Sequence, residues 1–586
     1  MPLGSALNSL LLLAKNLDTN TSTVMPVKKK DVDKPVVFDH SKRIKSLKRG
    51  KPEEYGYSQE YLDSYFNELV SDHSIRVNRI MVIKGNEVIA ERYEYPYVRD
   101  SWDCIFSCTK TVVALALGLL YDDGKVNLDE PVCKILKNEK QIFNNRNKKI
   151  TLRHLLTMST GITFNEMETA SSYKWVKSFF DSSYKFKLGS KFEYNSLNTY
   201  IISVCVEKLA GMKFEELVKE RIFKPLDIND THFDVSPEGY FKGGWGLYIL
   251  PEDMAKLGIL VRDNGMYNDK QIISKEWIQM MSHKQFASTN FGHIYDYGYQ
   301  MWVDDKIDFC AFNGMYDQDI LIFRKSGVII VSCFADSEAF HGSSLFTTST
   351  KYFSKSGMGN FELCNFHGHR NLKNEKDLMY YYDLIANKEY KPASKIANSC
   401  GILPLLLQNE LGTYTKGIKG VTFKKNDDNS YVFVVNENHK QYELEFNFSN
   451  GVRKVYDFYG NLFDCVCDAR FILSGKSDPY LIIRLFFLEF SSSRYFSIKF
   501  SKDMDIISLE ESENPGLDFV LSLIEIQDES TKLFLTRLTK TVGPDYVTGK
   551  IKNIFSPSFP LIHGEAKMKK YLNIKEKKTP KKEQKK

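Results

Sequence analysis

The alternation of apolar and polar positions divides the 586-residue chain into blocks of different period. Through residue 47 the chain is polar, with the run KKKDVDK, and reads as an N-terminal arm with no core to join. PEEYGYSQEYLDSYFNELV then sets apolar residues at helical spacing. RIMVIKG and EVIAERY follow as two strands joined at Gly85-Asn86, a pair suited to a two-residue hairpin. KTVVALALGLLYDDG is apolar almost throughout and stops at Gly124, which predicts a long buried helix. Helical segments continue to about Gly244. Strand patterns return in GYQMWV, FCAFNG, DILIFRK and GVIIVSCFA, broken at Gly314 and from Lys325 to Gly327, and predict an antiparallel sheet. DLMYYYDLIANKEY predicts a helical linker. Beyond it YVFVVN, YELEFNF, YLIIRLFFLEF and YFSIKF predict a second, mostly β domain without a fixed-period repeat.

Composition narrows the classes. With 42% hydrophobic residues the chain can bury a large core, and 80 Lys plus Arg against 74 Asp plus Glu give no whole-chain reason for a nucleic-acid partner. Basic charge is local, at Lys575, Lys577, Lys578, Lys581, Lys582, Lys585 and Lys586, and reads as a solvated tail. The ten cysteines are scattered through apolar stretches, such as those of Cys205 and Cys333, which favours a reducing compartment over a disulfide framework. Cys364, His367 and His369 lack a fourth ligand at zinc spacing, so no metal is expected. The short run LLLLA within Ala6 to Ala14 has no basic residue ahead of it, and no apolar run approaches the roughly 18 residues of a membrane span. A cytoplasmic protein without a membrane span is the expectation.

The chemistry lies just ahead of the long helix, in Phe106-Ser107-Cys108-Thr109-Lys110-Thr111. Ser107 and Lys110 are three residues apart, hence on one face of a first helical turn. A serine hydroxyl needs a neighbouring base to become a nucleophile, and a buried lysine amine serves if desolvation depresses its pKa. By itself this spacing also fits a helix-capping serine, so the flanks must decide.

Those flanks, in order, are PEEYGYS, FSCTKTVVALALGLLYDDGKVNLDEPV, ITLRHLLTMSTGI, LGSKFEYNSLNTYIISVCVEKLAG, GGWGLYILPEDMAKLG and YGYQMWV. They resemble the serine β-lactamase-related superfamily, which includes penicillin-binding proteins, esterases and 6-aminohexanoate-oligomer hydrolases. The resemblance implies Ser107 as nucleophile and Lys110 and Tyr194 as general bases, Tyr194 being the tyrosine of the family's Y-x-N motif, whose phenol shuttles a proton between nucleophile, lysine and leaving group. This chain reads Tyr194-Asn195-Ser196 there, a Y-x-S form that resembles carboxylesterases and linear-amide hydrolases more than dedicated β-lactamases. Ser196 is expected to hydrogen-bond near Lys110. The family's third motif, K-T-G or H-x-G, corresponds to Phe312-Asn313-Gly314. Gly314 would admit substrate closely, and the backbone N–H of Met315 would join that of Ser107 as an oxyanion hole. Phe312 supplies no cation, with Lys306 or Arg324 as nearby substitutes. His154 reads as structural and Glu166 as surface charge. Trp175, Tyr248, Tyr299 and Trp302 are candidates for the acyl pocket.

The resemblance implies an α/β (α+β) fold: a β-lactamase/transpeptidase-like catalytic domain with an antiparallel sheet and a helical insert, over residues 48–355. A linker (356–400), a β-rich domain (401–550) and a basic tail (551–586) follow. The expected function is a serine hydrolase forming an acyl-enzyme on a small ester, amide or peptide, with no cofactor and no nucleic-acid partner. The alternative is a β-lactamase-fold scaffold without turnover. Oligomeric state stays open.

Overall fold

The computed structural model describes residues 47–578 apart from 73–74, 138–143, 170–171, 338–343, 360, 362–377, 394–400, 406, 409–416, 427–429, 438–439, 473–478, 503 and 517–555. The polar arm before residue 47, the Cys364, His367 and His369 cluster, much of the linker and the end of the basic tail lie outside them.

The predicted hairpin forms as β1 (Val77–Lys84) and its partner Glu87–Tyr93, turning at Gly85-Asn86. It joins three strands from far along the chain, β2 (Phe309–Gly314), β3 (Gln318–Phe323) and β4 (Val328–Phe334). The junction is the antiparallel pairing of β1 with β4, in which Val82 faces Ile330. The full order in this eight-stranded sheet is Lys48–Arg49, Glu87–Tyr93, β1, β4, β3, β2, Trp302–Asp304 and Asp296–Tyr297.

Strand alternation sends neighbouring residues to opposite faces, and both faces are apolar. Met81, Ile83, Ile320, Ile322, Ile329 and Val331 meet three helices, α1 (Thr109–Asp122), α2 (Ser196–Ala210) and α3 (Pro251–Arg262). Ile80, Val82, Leu321, Phe323, Val328 and Ile330 face the amphipathic helix Gln59–Ser71 and the helix Ser344–Phe353. The sheet is therefore the middle layer of a helix–sheet–helix sandwich. Helix α1 is buried from Thr109 to Leu120, as its continuous apolar run predicts.

The second sheet has ten strands, all neighbours antiparallel, running from Glu389–Pro392 to Ser558–Ile562. The predicted linker shortens to a helix at Met379–Ile385, and its last residues become the strand Glu389–Pro392 instead. The two end strands of the sheet, Lys440–Phe446 and Val452–Phe458, are consecutive in the chain, and the Glu445 N–H donates to the Tyr456 hydroxyl at 3.1 Å. The sheet thereby curls into a barrel-like shape around Phe423, Phe433, Phe463, Phe487 and Phe496. This core is continuous with Trp102, Cys104, Phe106, Tyr248 and Tyr316 of the first half. Among the described residues no helix is long and apolar enough to cross a membrane.

Where α1 passes the helix Lys275–Ser282, Gly118 lies against the fully buried Trp277, whose indole N–H donates to the Ala114 carbonyl at 3.0 Å. A Cβ at Gly118 would fall 2.3 Å from the indole ring. Gly118→Ala gains helix propensity of up to about 1 kcal/mol, but overpacking costs roughly 1–3 kcal/mol, so a net destabilisation is expected. Urea unfolding checks it, and a raised midpoint would contradict the packing.

Candidate active site

Ser107 sits in a single 3-10 turn, Phe106–Cys108, that runs directly into α1. Phe106 has φ +42°, a left-handed conformation that a residue with a side chain adopts only when its surroundings hold it. The Ile105 N–H donates to the Leu247 carbonyl at 3.0 Å, and the Phe106 ring packs edge-on against Tyr316 at 5.2 Å. The turn presents Ser107 at the partly accessible surface, while Lys110, one turn on, is 1% exposed.

Lys110 Nζ lies 2.8 Å from Ser107 Oγ and donates to the Gly244 carbonyl at 2.7 Å. Burial pushes its pKa down to about 7, against the opposing charge of Glu166 and the Cys108 thiol. Tyr194 hydrogen-bonds to Ser107, and its ring is 4.8 Å from Lys110 Nζ. The Tyr194 ring stacks on Trp302 at 5.8 Å and meets Tyr297 edge-on at 6.4 Å. Burial against this aromatic wall raises the Tyr194 pKa, and its bond to Ser107 only partly offsets that. The tyrosine is thus held as a neutral phenol, while the amine is free to be neutral near pH 7.

Tyr194 is fixed by the start of α2. Asn195 caps that helix, its side-chain oxygen accepting from the Leu197 N–H at 2.9 Å, while its amide donates to the carbonyls of Ile162 and Phe164. Ser196, the first residue of α2, is not a partner of Lys110; that place is taken by the Gly244 carbonyl. Ser196 instead abuts Gly244, where a Cβ would fall 2.7 Å from both its Cβ and its carbonyl oxygen. The glycine lets the backbone come close enough for its carbonyl to reach the amine.

The Phe312-Asn313-Gly314 segment ends β2 beside the serine turn, but for other reasons than expected. A Cβ on Gly314 would sit 2.5 Å from the Ile105 carbonyl, so the missing side chain makes room for the nucleophile turn. Asn313 Nδ2 and the Gly314 N–H both donate to Asp319 Oδ1, at 2.8 and 3.2 Å. Burial raises the pKa of Asp319, these two bonds lower it, and Asp336 raises it further. The strand Trp302–Asp304 ends opposite Ala311, so the edge of β2 beyond it has no strand partner. Among the described residues, the N–H groups of Ser107 and Met315 donate to no backbone carbonyl outside their own elements. Met315 packs toward the second sheet's core.

The proposed cationic substitutes lie elsewhere. Phe323 pairs with Phe309, which puts Arg324 and Lys306 at the other end of β2, about 17 Å from Gly314 at the rise of a strand. His154 caps its own helix, its Nδ1 accepting from the Thr151 N–H at 3.2 Å. Trp175, Tyr248, Tyr299 and Trp302 are 5%, 2%, 0% and 3% exposed, so they are walls and struts and not an open pocket. Glu166, read from the sequence as surface charge, acts on both Lys110 and Tyr194. The Gly244 carbonyl and Asp319 also escaped sequence reasoning; the glycine-rich run at 243–246 was the available signal for the first.

The chain is similar to several known proteins. A 6-aminohexanoate-dimer hydrolase of Paenarthrobacter ureafaciens is 22% identical over 219 residues, covering 34% of this chain and 55% of the relative. Protein flp of Staphylococcus aureus (strain MW2) is 23% identical over 191 residues, covering 30% and 38%. This chain thus spans about half or less of the length of these relatives. Among solved structures, a D-stereospecific amidohydrolase from a Streptomyces species is 16% identical with a TM-score of 0.41, covering 51% of this chain and 99% of that one. The family model described as Beta-lactamase matches residues 62–343, so the chain carries a Beta-lactamase domain over that segment.

Proposed function

We propose that the chain is a serine hydrolase that cleaves a small ester, amide or peptide through an acyl-enzyme on Ser107. The observation that carries the reading is a lysine amine, 1% exposed and depressed to about pH 7, lying 2.8 Å from the serine oxygen. A neutral Lys110 accepts the Ser107 proton as the oxygen attacks the substrate carbonyl. Gly244 holds the amine in place through one of its N–H bonds. The oxyanion is received by the N–H groups of Ser107 and Met315. Tyr194, kept as a phenol, hands a proton to the leaving group and recovers one from Lys110. Water then cleaves the acyl-enzyme by the reverse route. No cofactor enters.

The relative named as a 6-aminohexanoate-dimer hydrolase supports the reaction class. Phe312, standing where the family's third motif carries a cation or an imidazole, supports a substrate without the carboxylate of a β-lactam. We assign the reaction to residues 48–355; the β-rich domain expected at 401–550 extends at both ends, to the strands Glu389–Pro392 and Ser558–Ile562. The described cysteines are all free, which supports a reducing, cytoplasmic setting.

Hydrolysis of p-nitrophenyl acetate and butyrate, nitrocefin and D-alanyl p-nitroanilide tests the reading directly. Ser107→Ala is expected to lose turnover by on the order of 10⁴-fold or more. Equal rates in both proteins would reject it and favour a scaffold without turnover.

The pH dependence follows from Lys110. Its pKa is lowered in the fold, so the active neutral amine is populated above about 7 and lost below it. kcat/KM should therefore rise with pH through about 7. Glu166 opposes this depression, so Glu166→Gln should move the acid limb to lower pH. A limb that stays in place would remove Glu166 from the field of the amine, and one near the ordinary lysine value would mean the amine is hydrated.

A further inference from the structure

The four-residue turn Leu488–Ser491 of the second sheet joins β5 (Tyr480–Phe487) to β6 (Ser492–Phe500) and enters the first half of the molecule. Its contacts converge on two segments. The Cys104 N–H donates to the Glu489 carbonyl at 3.0 Å, and the Trp102 indole N–H donates to the Glu489 carboxylate at 2.6 Å. Trp102 and Glu489 are 6% and 3% exposed. Cys104 lies three residues before Ser107. On the other side, Gln318 Nε2 donates to Ser491 Oγ at 2.8 Å and to the Phe334 carbonyl at 2.7 Å. Gln318 pairs with Gly314 across the β2–β3 turn, and its carbonyl accepts from the Cys108 thiol at 2.7 Å. Between these anchors Phe490 packs edge-on against Tyr248 at 5.6 Å, and the Leu488 carbonyl accepts from Arg79 at 3.1 Å.

We propose that this turn is a positioning element for catalysis, with Glu489 and Ser491 setting the relation of the Ser107 turn to the β2–β3 turn that carries Met315. The inference rests on the serine-hydrolase reading. Its logic is geometric. The two N–H groups of the oxyanion hole come from separate segments, and an error of about 1 Å between them costs on the order of 10²-fold in rate. Phe106, with φ +42°, does not hold its own conformation and requires an external brace. Within the first half, Ile105 is tied to Leu247 and Cys104 pairs with Tyr248, while the Cys104 N–H donates to the Glu489 carbonyl of the turn. A contact made for stability alone has no need to place both polar side chains of the turn on the segments flanking the site. Neither Glu489 nor Ser491 touches substrate; they act through Trp102, Cys104 and Gln318.

The test uses the full chain as wild type, Glu489→Ala, Glu489→Gln, Ser491→Ala and the Glu489→Ala/Ser491→Ala double variant. Two readouts are taken: kcat and KM on the best ester of the panel, and hydrogen exchange of a peptide spanning 102–108 against one in α3. The expected result is a kcat lower by about 10-fold in the single alanine variants and on the order of 10²-fold in the double, with KM unchanged. Glu489→Gln, which keeps an acceptor for the Trp102 N–H, should restore kcat. Exchange should quicken in 102–108 and not in α3. An unchanged kcat in the double variant overturns the proposal, and so does a loss accompanied by faster exchange everywhere. If Glu489→Ala does not fold, Ser491→Ala and Glu489→Gln still decide between these outcomes. Absence of Ser107-dependent turnover in the wild type would instead remove the hydrolase reading and the catalytic meaning of the turn with it, a failure that strikes the parent protein and not the variants.

Discussion

The constraint on which the site depends is the dryness of one amine. Lowering the Lys110 pKa from 10.5 to about 7 corresponds to a penalty on its charged form of roughly 5 kcal/mol. That is a large share of the 5–15 kcal/mol by which a domain is typically stable. The surrounding fold meets this demand by packing α1 between α2 and the sheet, where α1 is buried from Thr109 to Leu120 and Lys110 is 1% exposed. An amine buried without an acceptor would cost more still, and the Gly244 carbonyl supplies one without adding charge. A carboxylate in that place would hold the lysine protonated and remove its use as a base.

The same dryness separates the two proton-handling groups. Lys110 and Tyr194 share one environment, but burial acts on them in opposite senses because it disfavours whichever form is charged. The cation is destabilised and the amine becomes neutral; the phenolate is destabilised and the phenol persists. One physical term thus assigns the base and the proton donor, and Glu166, at the margin of the site, adjusts where the balance falls.

The second sheet is joined to this arrangement more closely than an appended domain needs to be. Its aromatic core runs without interruption into Trp102, Phe106, Tyr248 and Tyr316, and its β5–β6 turn fills the acceptor and donor needs of the segments beside Ser107. Deep within the contact, Arg79 is paired with Asp103, and both are buried. Removing one partner of such a pair leaves an uncompensated charge, which is why buried pairs fix geometry more than they add stability.

The local features of this protein were legible in its sequence because they depend on neighbours a few residues apart. Alternation in RIMVIKG and EVIAERY with Gly85-Asn86 between them marked the hairpin, and the apolar run after Ser107 marked the buried helix. The three-residue step from Ser107 to Lys110 is itself local, and the Tyr194 segment was found by resemblance to a family. What the sequence did not carry was whatever required distant segments to meet. Gly244 reaches Lys110 across 134 residues, and Glu489 reaches Trp102 across 387, contacts that leave no periodic trace in either segment. Ser196 lies against Gly244 and Gly314 against the Ile105 carbonyl, neighbours that the sequence did not name, since a small residue shows that something comes close without showing what. The order of residues determined which elements form and which groups can react; the tertiary structure decided which of those groups are dry, and dryness sets their charge.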